Sequence, residues 1–256
     1  MDKRIGAQLY TVRKYTKTIE EFEYLCKELQ KIGYKTVQVS GTPLDPKEMK
    51  VILDKYDLEC VITHRPYDDF VNNIEDVIEY NKALGCKLCG LGGMDSENFI
   101  NLDKLNEFIA KANVFCERLK EEGMYFCYHN HSREFLKLEG KWVWDRMVEG
   151  TDPEIFNFTV DTYWVQHGGA NPVDVIENLG KRAMAVHFKD FYLNYEEHKP
   201  AMADVGYGNL NWDKIIEACE KAGTQYALVE RDDAGEYDPV LSLKNSYDFL
   251  TTKGFC

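Results

Sequence analysis

The sequence predicts an α/β protein built as a closed (β/α)8 barrel, and three observations predict it. Short apolar runs alternate with longer amphipathic ones from end to end, eight times in 256 residues, or about 32 residues per unit. No linker, low-complexity tract or charge block divides the chain, so residues 1–256 read as one domain. The other architecture open to such alternation, a doubly wound open sheet, carries a glycine-rich phosphate loop after its first strand. Here that strand runs instead into Thr11, Val12, Arg13 and Lys14.

Residues 5–10 read as the first strand. Over 19–32, Phe22, Leu25, Leu29 and Ile32 recur at helical spacing, and Gly33 stops the helix. Strand 36–39 is followed by helix 46–56, entered through Asp45 as a cap with Pro46 at the first helical position. Strand 59–63 and helix 71–84 form the third unit, and strand 87–91 with helix 102–121 the fourth; Gly85 and Gly123 are the stops. The fifth strand, 124–130, precedes a shorter helix near 142–148, and the sixth, 155–160, precedes helix 173–179 behind Pro172. Strand 183–188, a long loop and helix 212–222 make the seventh unit, and strand 226–229 with helix 239–250 closes the set.

Composition narrows the function. Apolar residues make up 44% of the chain, enough for a large core, and the net charge of −13 argues against nucleic acid as a partner, because phosphate binding needs a basic footprint. The eight cysteines are scattered without the spacing of a disulfide framework, which suits buried thiols in a reducing compartment. Residues 1–12 hold no apolar signal-peptide core and no run approaches membrane-spanning length, so the expectation is a cytoplasmic protein with no membrane partner.

In a barrel of this kind the site lies at the C-terminal ends of the strands. Those ends carry Gln8 and Tyr10, Gln38 and Ser40, His64 and Arg65, Gly92 and Gly93, then the segment YFCYHNHSRE at 125–134. Side chains alternate along a strand, so His129 and His131 share one face, with Glu134 just beyond. Asp161 and Trp164, His187 with Lys189 and Asp190, and Glu230 with Arg231 and Asp232 complete the set. Carboxylates and imidazoles converging on one mouth suit a single divalent ion, with Mn, Co, Zn and Mg all compatible. Each has a plainer role to set beside this: a strand-end histidine is often a hydrogen-bonded structural residue, and Asp161 could simply cap the following turn. Four histidines in corresponding places favour the metal.

Weaker signals read as structure. Cys86 and Cys89 match C-x-x-C, but positions three apart on a strand face opposite sides, so they are expected to be core thiols. Trp142, Trp144 and Trp212 read as helix packing residues. The loop from Asp204 to Asn209 is glycine-rich and offers either a phosphate cradle or a simple turn. Trp164 is the best-placed aromatic platform for a sugar ring.

These motifs, taken together, resemble the sugar phosphate isomerase/epimerase family of xylose isomerase-like TIM barrels. The resemblance spans nearly the whole chain and rests on IGAQLYTVR at the start, THRPYDD at 63–69, YHNHSREF at 128–135, DTYWVQHGGANP at 161–172, HFKD at 187–190, VGYGNLNW at 205–212 and LVERD at 228–232. It implies one divalent metal held by a Glu, Asp, His, Glu set from strands five to eight. Asp161, His187 and Glu230 match the last three; Glu134 is taken as the strand-five ligand, with His131 as the alternative. Tyr207 departs from the family pattern, standing where a glutamate is expected in the VGxGxxxW loop.

The implied chemistry is removal of a proton beside a carbonyl through a metal-stabilised enediolate, giving a sugar, sugar phosphate or keto-sugar isomerase or epimerase. Glu134, Glu230, His129 and His131 are the acid/base candidates, and Gln8, His64, Trp164 and Lys189 the substrate contacts. A lyase or dehydratase acting on an inosose or a 3-keto-glycoside shares the same first step and is the runner-up. A metallo-nuclease would want a basic face, and a non-catalytic sugar binder would be indifferent to loss of Asp161 or Glu230. The expected partner is a small carbohydrate; such barrels often associate through their exposed ends, which leaves a homo-oligomer open.

Overall fold

The computed structural model describes residues 1–235 and 237–256. Eight parallel strands form the barrel: β1 (Ile5–Gln8), β2 (Thr36–Ser40), β3 (Glu59–Arg65), β4 (Leu88–Leu91), β5 (Tyr125–His129), β6 (Phe156–Asp161), β7 (Ala183–Phe188) and β8 (Tyr226–Val229). Each pairs with the next in chain order, and β8 returns to β1 through Ile5↔Ala227, Gly6↔Leu228 and Ala7↔Val229, so no edge is left open.

The crossover helices are α1 (Ile19–Ile32), α2 (Pro46–Lys55), α3 (Tyr67–Asn72), α4 (Ile74–Leu84), α5 (Leu102–Glu121), α6 (Val143–Gly150), α7 (Thr162–His167), α8 (Pro172–Leu179), α9 (Trp212–Ala222) and α10 (Pro239–Thr251). Local chemistry sets their ends. Thr18 Oγ1 accepts from the Glu21 backbone N–H while Glu21 accepts from that of Thr18, a reciprocal cap on α1. Asp45 accepts from the N–H groups of Lys47 and Glu48 ahead of Pro46, starting α2.

Three of the differences from expectation have a plain local cause. The first strand ends at Gln8, whose side chain accepts the Tyr10 N–H and turns residues 9–15 into a 3-10 segment. The helix expected over 71–84 is two helices, broken where Asn73 leaves the helical region at φ −138°, ψ 43°. The long loop after β7 holds an antiparallel hairpin, Asp190–Asn194 with Lys199–Ala203; its side chains are mostly half-buried or exposed, so no apolar run marks it.

Strand alternation splits the apolar residues into two cores. Outward-facing Val37, Val39, Phe126, Tyr128, Phe156, Phe158, Val186, Phe188 and Val229 pack under the helices. Val61, Ile62, Leu88, Cys127, Met184, Ala185 and Leu228 form a separate plug in the barrel interior. Val61 and Ile62 both belong to it because the β2–β3 register shifts there, from Val37↔Cys60 to Gln38↔Ile62. All eight cysteines are free thiols; seven, including Cys86 and Cys89, are buried and Cys256 is exposed. Among the described residues no helix is long and apolar enough to cross a membrane.

Candidate metal centre

Two residues further along the same inward face, the chemistry of the barrel interior changes. His64 follows Ile62, His129 follows Cys127, Asp161 follows Thr159, His187 follows Ala185 and Glu230 follows Leu228. One ligand atom from each of His129, Asp161, His187 and Glu230 can be chosen so that all four lie within 4.8 Å of one another, and all four residues are buried. Glu230 Oε2 lies 2.8 Å from His187 Nδ1, and Asp161 Oδ2 lies 3.3 Å from His129 Nε2 and 3.9 Å from His187 Nδ1.

The outer nitrogen of each ring is already engaged. His187 Nε2 meets the Gln38 side-chain oxygen at 2.7 Å, and that oxygen only accepts, so Nε2 carries the proton. His129 Nδ1 meets Gly92 O at 3.4 Å, again an acceptor. Burial, reinforced by the neighbouring histidines, pushes His129 well below its ordinary pKa and keeps it neutral. The inner nitrogen of each ring faces carboxylate oxygens, and His187 Nδ1, although buried, makes no well-formed hydrogen bond. Two imidazoles and two carboxylates converging in a buried pocket, three of them with an outer atom hydrogen-bonded, fit a divalent metal.

Asp161 takes the capping role foreseen for it and keeps one oxygen free of that role. Its Oδ1 accepts the Trp164 N–H at 2.8 Å and caps α7, which leaves Oδ2 for the cluster. Burial raises Asp161; burial also works against the charge of Glu230, but Lys189 and His187 overcome it and hold Glu230 well below the ordinary carboxylate range. Lys189 is fully buried, with Nζ 2.6 Å from Asp232 Oδ2 and 3.4 Å from both Asp161 Oδ2 and Glu230 Oε2. Burial would lower its pKa, yet those three carboxylates hold it above its ordinary value, while burial and the Glu230 charge push Asp232 up to about 6.

The cavity above the cluster has a volume of about 560 Å³ and is lined by Gln8, His64, His129, His131, Lys189 and Glu230, with Tyr10, Arg13 and Asp232 at its rim. Room for the imidazoles comes from the end of β4. A Cβ on Gly90 would lie 2.3 Å from Thr63 O and 2.5 Å from His64 Cδ2, and one on Gly93 would lie 3.1 Å from His131 Nδ1.

Glu134 is placed apart from this group. The strand ends at His129, the chain turns through 130–132, and Glu134 folds back beneath the turn. There it accepts the Tyr128 hydroxyl at 2.5 Å and the His131 N–H at 2.9 Å, so His129 stands fourth beside Asp161, His187 and Glu230. Trp164 is not among the cavity-lining residues: His131 packs on its ring at 5.3 Å and the Lys189 ammonium sits over it at 5.2 Å. The phosphate-cradle reading of the 204–209 loop fails, because the N–H groups of Gly206, Gly208 and Leu210 all point at the Asp190 carboxylate. Tyr207 is exposed and away from the cavity. Gln38 and Asp232 stand in the strand-end set read from the sequence, but no role was assigned to either; the hydrogen bond that gives Gln38 its place joins residues 149 apart.

A family model described as xylose isomerase-like TIM barrel matches residues 26–253. Inosose dehydratase of Lacticaseibacillus casei is 24% identical over 253 residues, covering 85% of this chain and 83% of that one. A sugar phosphate isomerase/epimerase from Parabacteroides distasonis superposes with a TM-score of 0.79 at 22% identity, over 97% of this chain and 93% of that one. The IolI protein, solved with a zinc atom bound, superposes with a TM-score of 0.76 at 10% identity, over 98% and 99% of the two chains. The matched segment takes in seven of the eight barrel strands and every residue of the buried cluster: this chain belongs to the xylose isomerase-like TIM barrel family.

Proposed function

We propose that the protein is a divalent-metal-dependent enzyme that removes the proton beside a carbonyl of a small carbohydrate, with a sugar or keto-sugar isomerase or epimerase as the first reading. The observation that carries it is the convergence of one ligand atom each from His129, Asp161, His187 and Glu230 in a buried pocket. When bound by His129, Asp161, His187 and Glu230, a divalent cation supplies the positive charge that polarises a carbonyl and stabilises an enediolate.

The chain's own residues supply the rest. His131 lines the cavity, and burial lowers its pKa, so the ring stands ready as a neutral proton acceptor. Glu230, held ionised, is the second acid/base candidate. Gln8, His64 and Lys189 border the same space and orient substrate oxygens; the unpartnered, buried His64 Nε2 is available for one of them. Glu134 acts indirectly, fixing the turn that carries His131. Trp164 supports Lys189 and His131 from behind.

One observation favours the second reading, a lyase or dehydratase on an inosose or 3-keto-glycoside. Epimerisation in this family uses two glutamates on opposite faces of the substrate. Among the described residues only Glu230 supplies a glutamate to the cavity, while Glu134 is tied to Tyr128. Dehydration needs one base and one acid on a β-hydroxyl, and the inosose dehydratase relative points the same way.

The test begins with metal content of wild type and His187→Ala, expected at one equivalent and near zero. Ketoses, inososes and 3-keto-glycosides are then incubated in D2O with Mn, Co, Zn and Mg and followed by NMR. Exchange of the proton beside the carbonyl with an intact carbon–oxygen skeleton identifies an isomerase or epimerase; loss of water identifies the dehydratase. No metal and no exchange would refute both readings.

A further inference from the structure

We infer that Lys189 is a built-in competitor of the metal: its ammonium draws on the same two carboxylate oxygens and thereby sets how tightly the site holds a divalent ion. The inference rests on the metal-centre reading above and concerns one residue's effect on it.

The geometry is direct. Nζ lies 3.4 Å from Asp161 Oδ2 and 3.4 Å from Glu230 Oε2, the oxygens that face His129 and His187. It has little freedom to withdraw. The residue is fully buried, its charge sits over the Trp164 ring at 5.2 Å, and its shortest contact is the 2.6 Å pair with Asp232. Cation repulsion at such separations is large where water is excluded, so a fixed ammonium must weaken capture of a second positive ion.

Asp232 moderates the competition. It takes the closest share of the ammonium and so keeps Lys189 from leaning further onto Asp161 and Glu230. It is itself held by the chain before it and by the first loop, since Arg13 donates to the Asp232 backbone carbonyl at 2.9 Å. Three carboxylates against one ammonium leave two formal negative charges, the amount a divalent ion neutralises. A lysine of this kind makes metal exchange feasible in a pocket whose ligands are otherwise completely buried.

The experiment is titration of the metal-free 256-residue chain with Mn²⁺ alone, free ion being counted by electron paramagnetic resonance. Lys189→Met is expected to tighten Mn²⁺ binding by about tenfold, and Asp232→Asn to weaken it by a similar factor. In the double variant the Asp232→Asn effect should shrink, because its route through Lys189 is gone. A merely structural lysine would weaken binding when removed. If Lys189→Met fails to fold, Lys189→Gln removes the charge while keeping a hydrogen bond to Asp232, and the same tightening is expected. Unchanged or weaker Mn²⁺ binding in a folded Lys189 variant would overturn the inference alone. Failure of the wild type to bind Mn²⁺ at all would overturn the metal centre, and this inference with it.

Discussion

The interior of the barrel offers two layers one strand repeat apart. The lower holds Ile62, Cys127, Ala185 and Leu228; the upper, two residues on along the same strands, holds His64, His129, His187 and Glu230. Backbone, burial and parity are alike, so the difference is side-chain chemistry alone. The lower layer removes apolar surface from water and holds the strands together. The upper buries carboxylates and imidazoles at a cost in stability that a purely structural layer would not incur. One layer maintains the fold and the other uses it.

The sharpest way to break this comparison is to remove one member of each layer. Glu230→Gln should lower turnover by about a thousandfold and abolish metal binding, and any change in urea stability should be a loss, because Lys189 is left with one carboxylate fewer. Leu228→Ala, two residues away, should cost about 2–5 kcal/mol of unfolding free energy. The molecules that remain folded should still bind one metal, read by denaturant titration beside elemental analysis. If Leu228→Ala abolished metal binding without loss of stability, the division into layers would be mistaken.

Gly90→Ala tests the boundary between them. Its Cβ would meet Thr63 O, a backbone atom that cannot swing aside, so a loss of about 1–3 kcal/mol is expected by thermal unfolding. The smallest effect sharpens the comparison at a single ring. Gln38→Leu removes the acceptor that fixes the His187 tautomer, and metal affinity should fall by about tenfold with the ligands intact. An unchanged affinity would show that the ring is oriented by packing alone.

Much of this was legible in the residues. Asp161, His187 and Glu230 each end a short apolar strand, where a buried charge demands a reason, and the parity argument put His129 and His131 toward one cavity. The sequence offered Glu134, with His131 as the alternative, from strand five; that His129 instead of either groups with Asp161, His187 and Glu230 was not legible. It depends on the turn at 130–132, and on a tyrosine hydroxyl that satisfies Glu134 from the outward face of the same strand. Gln38 was named among the strand-end residues but given no role, because a neutral amide shows no charge to explain and its partner lies 149 residues away, across the barrel. The hairpin after β7 escaped because it packs little and so leaves no periodic apolar trace.

Asp190 has a consequence that reaches beyond this one chain. Five donors converge on its carboxylate: the N–H groups of Phe191, Gly206, Gly208 and Leu210, and the Trp212 indole. The start of the hairpin and the loop that follows it are thus moored to one anchor, and the tip between them, residues 195–198, bears no part of that load. Such a segment is free to drift. It can lengthen, shorten or change its sequence between descendants while the mouth of the barrel keeps its shape, so the protein carries a place where new recognition can be written without disturbing the old chemistry.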